Sequence, residues 1–427
     1  MSVARVVVFV VLMLAVVGGI NAQAFRWARN AFGMSPRSLR LLKWLLGVSL
    51  GAMVLGRVAG KLWPGALTSG VIAVASTVQL AVVISGLLLA FVDLARLLGS
   101  LPGRFTARLA QRPAAASASP APPVAGVKPP GPRAEAAPAE LPRRTFLTQA
   151  AAGSAFLIGS GSSLYGALKG RYDYRLEEVP VVVPGLSRAF DGFTIAQLSD
   201  VHIGMYVGDA ELAIAEELLR QAKADLIVLT GDLLDNDARL APRLGRFVRR
   251  LTPLARHGVF AISGNHDYFA GVEDMASAVR AAGGRMLRND GVLVGEAGAG
   301  FALLGVDDVW ARREGSGPNL RRAVELLPRV AGRVAPARDL PRVLLCHNPS
   351  FFSEAAGQVA LQLSGHTHGG QVNLGIRPAD FLLPGGWVAG RYDLAGSALY
   401  VNRGFGTVGP PARVGSPPEV TRLVLRA

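Results

Sequence analysis

Hydrophobic positions along the chain fall into two regimes. In the first hundred residues they run almost unbroken, from Val6 to Ile20, from Leu41 to Val58 and from Trp63 to Val92, the last with no charged residue. A membrane-spanning helix takes about 20 apolar residues, so residues 1–100 are predicted to hold about three transmembrane helices. Lys43 and Arg57 lie near the ends of the second run, where long side chains can snorkel. Beyond residue 170 the apolar runs shorten to the length of buried strands: Thr194–Ser199, Leu226–Thr230, Val259–Ser263, Val343–Cys346 and Val359–Leu363. Amphipathic stretches lie between them. Asp209 is predicted to N-cap a helix through Lys223, with Leu212, Ile214, Leu218 and Leu219 on one face. Leu240 to Leu251 and Val272 to Ala282 also read as helices, the latter stopped by Gly283-Gly284. Strands alternating with helices predict one layered α/β domain over residues 171–427.

The two regimes are joined by a stretch of different composition. Residues 101–142 carry ten prolines among many alanines, which cannot build a packed core and predict a semi-extended linker. Residues 143–170 open with Arg143-Arg144-Thr145-Phe146-Leu147 and continue as a mildly apolar, uncharged run to Leu168. Paired arginines before such a run resemble a twin-arginine export signal, here internal, and are also what a fourth membrane helix with positive flanking charge looks like.

Charge sets the expected orientation. The formal charge is +15, and much of it is arginine flanking the apolar segments. Arg26, Arg29, Arg37 and Arg40 lie between the first two segments, and Arg96, Arg104, Arg108 and Arg112 follow the third. By the positive-inside rule both stretches are cytoplasmic. The chain is then a multi-pass cell-membrane protein whose domain after Lys169 is extracytoplasmic. No basic stripe interleaved with aromatic residues is present, so no nucleic-acid partner is expected. Cys346 is the single cysteine, which rules out an intrachain disulfide.

Candidate chemistry sits just after the predicted strands. The first is followed by Asp200-Val201-His202, the second by Gly231-Asp232, the third by Gly264-Asn265-His266-Asp267, the fourth by His347 and the fifth by Gly365-His366-Thr367-His368. Ligands of α/β sheets bind beyond the carboxyl ends of strands. Five of the six histidines fall in these loops; His257, before a strand, reads as an ordinary surface residue. In Asp200-x-His202 two residues of an extended chain would point to the same side and grip one ion together, and His366-x-His368 would do likewise. Oxygen and imidazole donors suit Mn, Fe or Zn. Seven such donors exceed one tetrahedral ion and fit two divalent ions sharing a carboxylate, the arrangement that stabilises in-line displacement at phosphorus.

The series D-x-H, G-D-x-x-D, G-N-H-D, H and G-H-T-H, from about Phe190 to Asn373, resembles the calcineurin-like metallophosphoesterase superfamily. Gly365–Gln371, Gly305-Val306-Asp307-Asp308, Val401-Asn402-Arg403-Gly404 and Pro411-Ala412-Arg413 resemble its bacterial membrane-associated branch. That branch includes twin-arginine-exported phosphoesterases and relatives that hydrolyse UDP-diacylglucosamine. The resemblance implies a four-layer α/β/β/α sandwich. It implies that Asp200, His202 and His368 hold a first metal, that Asn265, His347 and His366 hold a second, and that Asp232 bridges them. It implies that His266 contacts the phosphate and protonates the leaving oxygen, oriented by Asp235. Asp267 is expected to be a structural loop residue, Cys346 a small core residue, and Arg403 and Arg413 candidate holders of substrate phosphates. The expected activity is hydrolysis of a phosphate ester, phosphodiester or pyrophosphate by a hydroxide bridging the two ions. The substrate would be a phosphorylated small molecule or lipid. A non-catalytic metal-binding scaffold or a membrane sensor on the same fold is the alternative.

Overall fold

The structure is a computed structural model that describes residues 3–63, 65–110, 142–296, 299–327 and 340–427. Its N-terminal part is helical: α1 Val3–Phe32, α2 Pro36–Leu62, α3 Ala66–Ala110 and α4 Arg143–Leu168. Among the described residues, three helices are long and apolar enough to cross a membrane, over Val11–Phe32, Pro36–Gly56 and Ala66–Gly99. The fourth helix forms over the expected residues, but α4 is not one of these three. Two boundaries differ from expectation. Arg26 and Arg29 lie inside α1 and Arg37 and Arg40 inside α2, because only residues 33–35 separate the two helices; arginine is a good helix former and carries its charge clear of the backbone. Helix α3 also runs to Ala110, past the expected linker start at 101, since after Pro102 no proline recurs until Pro113. The remainder of the expected linker, residues 111–141, lies outside the described residues.

The chain divides into two compact units. In the unit built from residues 3–47, 81–110 and 142–160, Trp27, Ala31, Leu89, Ala152 and Ala155 form a small apolar cluster, and Asp93 accepts hydrogen bonds from Arg26 and the Trp27 indole. The other unit, residues 48–80 and 161–427, contains the α/β domain.

That domain is built on two six-stranded sheets. Its elements after α4 are β1 Arg175–Val182, β2 Thr194–Leu198, α5 Asp209–Ala222, β3 Leu226–Thr230, α6 Ala241–Leu251, β4 Val259–Ile262, α7 Asn265–Ala270, α8 Val272–Ala281, β5 Arg285–Met286, β6 Asp290–Glu296, β7 Ala299–Gly305, α9 Leu320–Glu325, β8 Arg342–Leu345, α10 Phe352–Ala355, β9 Leu361–Ser364, α11 Ala379–Leu382, β10 Gly390–Leu394, β11 Ser397–Val401 and β12 Glu419–Arg426. The first sheet has the order β1-β12-β2-β3-β4-β5 and the second β10-β11-β9-β8-β7-β6. In the first, β2 to β5 run parallel; in the second, β11, β9, β8 and β7 do.

The sheets face one another across a core of Ile195, Val228, Ile262, Leu303, Val343, Leu363 and Leu423. Helices α5, α6 and α8 cover the outer face of the first sheet through Leu212, Leu219, Leu244, Phe247 and Met275. Helix α9 and the α10 region cover the second through Leu320, Ala323 and Phe351. This is the expected four-layer α/β/β/α sandwich. The parallel strands are buried on both faces, which is why they read as continuous apolar runs. Gly208, not Asp209, is the N-cap of α5: its N–H donates to Glu211 at 2.9 Å, and Asp209 is the first helical residue, with its charge at the positive helix end.

Candidate metal centre

The five candidate motifs do not come from one sheet. Asp200, Asp232 and Asn265 follow β2, β3 and β4 of the first sheet, whereas His347, His366 and His368 follow β8 and β9 of the second. The carboxyl edges of the parallel strands in both sheets meet. Gln197 of β2 donates to the Ser364 carbonyl of β9 at 2.9 Å, and Gly406 N–H donates to the Asp200 carbonyl at 2.7 Å.

The backbone is folded sharply there. Asp200, His202, Asp232, His366 and His368 have φ of 52°, 51°, 51°, 73° and 51°. L-residues rarely occupy this left-handed region, and each such placement costs of order 1 kcal/mol or more. The paired residues of D-x-H and H-x-H therefore do not lie on an extended chain, as expected from spacing. Each strand stops, and the left-handed turn swings the donors inward. Close packing of glycine permits this: a Cβ on Gly264 would meet Asp232 Oδ1 at 2.2 Å, and one on Gly365 would meet Asp200 Oδ2 at 2.1 Å.

Three groups of side chains result. Donor atoms of Asp200, His202 and His368 lie within 4.8 Å of one another, those of Asp232, His347 and His366 do likewise, and those of His202, Asp235 and His266 form a third set that shares His202 with the first. Asp232 Oδ2 is 3.2 Å from His347 Nε2 and 3.7 Å from His202 Nε2, so its carboxylate stands between the first two groups. Burial works to raise the Asp232 pKa, but the imidazoles of His347, His202 and His266 hold the carboxyl well below the usual range, so it is ionised.

The unmatched polar atoms test whether metal ions fit. His347 Nδ1–H donates to the Thr230 carbonyl at 2.8 Å, which turns the buried Nε2 toward Asp232 Oδ2 at 3.2 Å; the carboxylate pushes the imidazole's pKa up, and a cation there would take the place of the Nε2 proton. His366 Nδ1, His202 Nδ1 and Asn265 Oδ1 are buried without hydrogen-bond partners, His202 Nδ1 lying 3.8 Å from the Asp235 carboxylate. His202 Nε2 faces His368 Nε2 at 3.1 Å. Orphaned buried acceptors cost about 1–3 kcal/mol each, and several converging around an ionised carboxylate make a cradle for cations. Backbone N–H of His366 donates to both Asp200 oxygens at 2.9 and 3.0 Å, and that of His266 donates to Asp232 Oδ1 at 2.8 Å; these bonds orient the carboxylates as in metal sites.

Residues 193–370 match the family model for calcineurin-like phosphoesterases. An uncharacterized metallophosphoesterase of Aquifex aeolicus is 30% identical over 275 residues, 64% of this chain and 97% of that protein. The chain belongs to the calcineurin-like phosphoesterase family. The uncharacterized metallophosphoesterase YkuE of Bacillus subtilis is 30% identical over 306 residues, 67% of this chain and 99% of that protein. A Bos taurus transmembrane protein with metallophosphoesterase domain is 30% identical over 292 residues; the match covers 64% of this chain and 62% of the bovine protein, less than two thirds of its length.

In this phosphoesterase fold His266 lies in the first turn of α7 beside the first two groups, with its ring 4.7 Å from that of His202 and edge-on to it. Its Nδ1–H donates to the backbone carbonyl of Asp235 at 2.9 Å, whereas the Asp235 carboxylate is 3.4 Å away. Asp235 thus meets the imidazole with both its main-chain carbonyl and its carboxylate. Burial works to lower the His266 pKa, but Asp235 and the charge of Asp232 more than offset it and push it up to about 9. Asp267 is structural: it accepts from the N–H groups of Leu233, Leu234 and Gly264 at 3.0, 2.9 and 2.9 Å. His257 packs at a tilt against Phe193 away from these loops, and Cys346 is a buried free thiol.

The expectation for Arg413 is corrected. This arginine is 1% exposed, and its guanidinium donates to the carbonyls of Arg403, Gly404, Gly406, His368 and Ser416 and contacts His368 Nδ1 at 3.1 Å. No edge remains for a substrate phosphate; it braces the His368 loop. Arg403 is paired with Glu177 at 2.7 Å and Glu419 at 2.5 Å, and it lines a cleft of about 440 Å³ with Gly369, Ile376, Arg377, Ser416 and Pro417. Asp308, not singled out from sequence as a site residue, is fully buried; one oxygen caps the turn at Trp310 N–H and the other lacks a partner.

Proposed function

We propose that this protein is a membrane-anchored hydrolase of phosphate esters that works with two divalent ions, its α/β domain lying outside the cytoplasm. What carries the reading is the meeting of six donor side chains from two sheets, one of them an ionised, shared carboxylate, with buried polar atoms left unmatched. Asp200, His202 and His368 would hold one ion, Asn265, His347 and His366 the other, and Asp232 both. Bound ions of this kind activate water near neutral pH and neutralise charge on phosphoryl oxygens. The side chains supply the rest. His266, protonated and anchored at Nδ1, offers Nε2–H to the leaving oxygen. The Asp235 carbonyl fixes which ring nitrogen points outward. Arg413 holds the His368 loop in its left-handed turn, and the cleft lined by Arg403 and Arg377 gives the ester group room beside it.

Substrates in keeping with this site are phosphomonoesters, phosphodiesters and pyrophosphates, a lipid-linked one among them because the anchor keeps the site at the bilayer. We further propose that Arg143-Arg144 at the start of α4 stays on the cytoplasmic side and serves as the export signal. Purified full-length chain in detergent micelles, loaded with Mn, is expected to hydrolyse bis-p-nitrophenyl phosphate or p-nitrophenyl phosphate and to lose activity with a chelator. Metal-loaded, folded protein without turnover on either ester, and with none on lipid diphosphates, would refute the proposal. A reporter fused after Ala427 should act on the outer side; a cytoplasmic signal overturns the orientation.

A further inference from the structure

The segment 374–387, between the H-x-H loop and β10, carries apolar side chains on its outside. Phe381 is 84% exposed, Leu382 79% and Ile376 69%. A free loop would be expected to hide such groups, yet this one is built to show them. At its start Asn373 N–H donates to the Val414 carbonyl at 2.8 Å, and the Asn373 amide donates to Gly369 O at 3.0 Å. At its end the Thr367 hydroxyl donates to the Val388 carbonyl at 2.5 Å, so the residue between His366 and His368 ties the segment to the metal loop. Between these ties Pro378 and Pro384 bracket α11, and Arg377 pairs with Asp380 at 2.7 Å. Ile376 and Arg377 also line the cleft beside His368. The apolar tip at Phe381-Leu382 thus belongs to the segment that supplies part of the cleft lining, without lining the cleft itself.

Helix ends arrive close to the same loops. Arg413 N–H donates to the Gly166 carbonyl of α4 at 3.1 Å, and a Cβ on Gly60 of α2 would meet the Met205 side chain at 2.6 Å. Met205 follows the D-x-H motif, and α2 is one of the three helices able to cross a membrane. A bilayer is the apolar phase that the anchored chain always has at hand, and exposed aromatic and aliphatic side chains beside cations are what its interface accepts. We propose that the tip at Phe381-Leu382 inserts into the lipid surface and seats the mouth of the cleft on the membrane. This rests on the extracytoplasmic, anchored placement of the domain proposed above.

The test uses spin labels on the full-length chain, since Cys346 is the single cysteine and is buried. F381C, L382C and, on exposed α5, E217C are labelled with a nitroxide and reconstituted in phosphatidylethanolamine/phosphatidylglycerol vesicles. Collision with oxygen and with a water-soluble nickel chelate is then compared. Labels at 381 and 382 are expected to favour oxygen and be shielded from nickel, unlike the label at 217. Equal nickel access at all three sites would overturn the proposal. Dipolar broadening between 381 labels in dilute micelles would overturn it in favour of a contact between copies. A second readout uses F381S/L382S: KM for a vesicle-embedded diester rises about tenfold, with hydrolysis of a soluble aryl diester unchanged. An unchanged KM on vesicles would count against the seat. Failure of the wild type on both diesters would refute the hydrolase reading, while the spin labels would still decide the insertion.

Discussion

Replacing Arg413 with Met tests whether a buried cation holds the first metal loop in place. The two side chains are similar in length, so the change removes charge and donors with little loss of volume. Five carbonyls receive the guanidinium. Two of them keep another donor, because Ser416 Oγ also donates to His368 O and Glu419 N–H to Gly404 O. The carbonyls of Arg403, Gly406 and Ser416 lose the arginine as a donor in the interior. At about 1–3 kcal/mol for each such group, less the desolvation that a buried guanidinium no longer incurs, the expected loss is about 3–5 kcal/mol. For a domain of this size that lowers Tm by about 10–15 °C. The assay is maleimide labelling of Cys346 during heating of the full-length chain, because this buried thiol reacts only when the α/β domain opens. Metal content measured at low temperature should fall by about one ion per chain as His368 loses its brace, and Arg413→Lys should fall between the two proteins. A Met variant that melts within about 2 °C of wild type and keeps both ions would refute this account of Arg413.

Three further outcomes follow from the site geometry. His266→Ala should lower kcat by about a hundredfold or more with metal content unchanged; loss of the ions would make His266 a ligand instead. Because His266 must be protonated to act and its pKa lies at about 9, kcat should hold through neutral pH and fall as pH rises through about 9; Asp235→Asn should move this alkaline limb to lower pH by about one unit, and an unmoved limb would assign it to another group. Asp267→Asn places an NH2 against the N–H of Gly264 or of Leu233 and Leu234, which should lower Tm by about 5–10 °C; an unchanged Tm would show that these three bonds contribute little.

Much of this site was legible because its chemistry is written as short strings after buried strands. A run of apolar residues ending in Asp-x-His or Gly-Asn-His exposes both the strand and the donor. The pairing of strands was not legible. Nothing in Leu226–Thr230 or Val343–Leu345 says that they belong to facing sheets, since both are buried on two faces and read alike. The β10–β11 hairpin escaped because its turn is Ala395-Gly396, with φ of 49° and 78°, where Asn-Gly would have announced it. The partner strands β1 and β12 meet across more than 200 residues, a contact that local pattern does not encode. Arg413 looked like a phosphate ligand because a lone arginine in a glycine- and proline-rich tail gives no sign of being buried. Asp308 stood in a quoted motif, yet its partnerless oxygen is a property of the packed interior alone.

The central claim is a pair of ions sharing Asp232. Electron paramagnetic resonance of the Mn-loaded full-length chain measures this directly. Two Mn ions per chain with a spin-coupled multiline spectrum, collapsing in Asp232→Asn to the signal of an isolated ion or to none, is the result predicted here. A single uncoupled six-line signal from the wild-type chain, or coupling that survives Asp232→Asn, would contradict it.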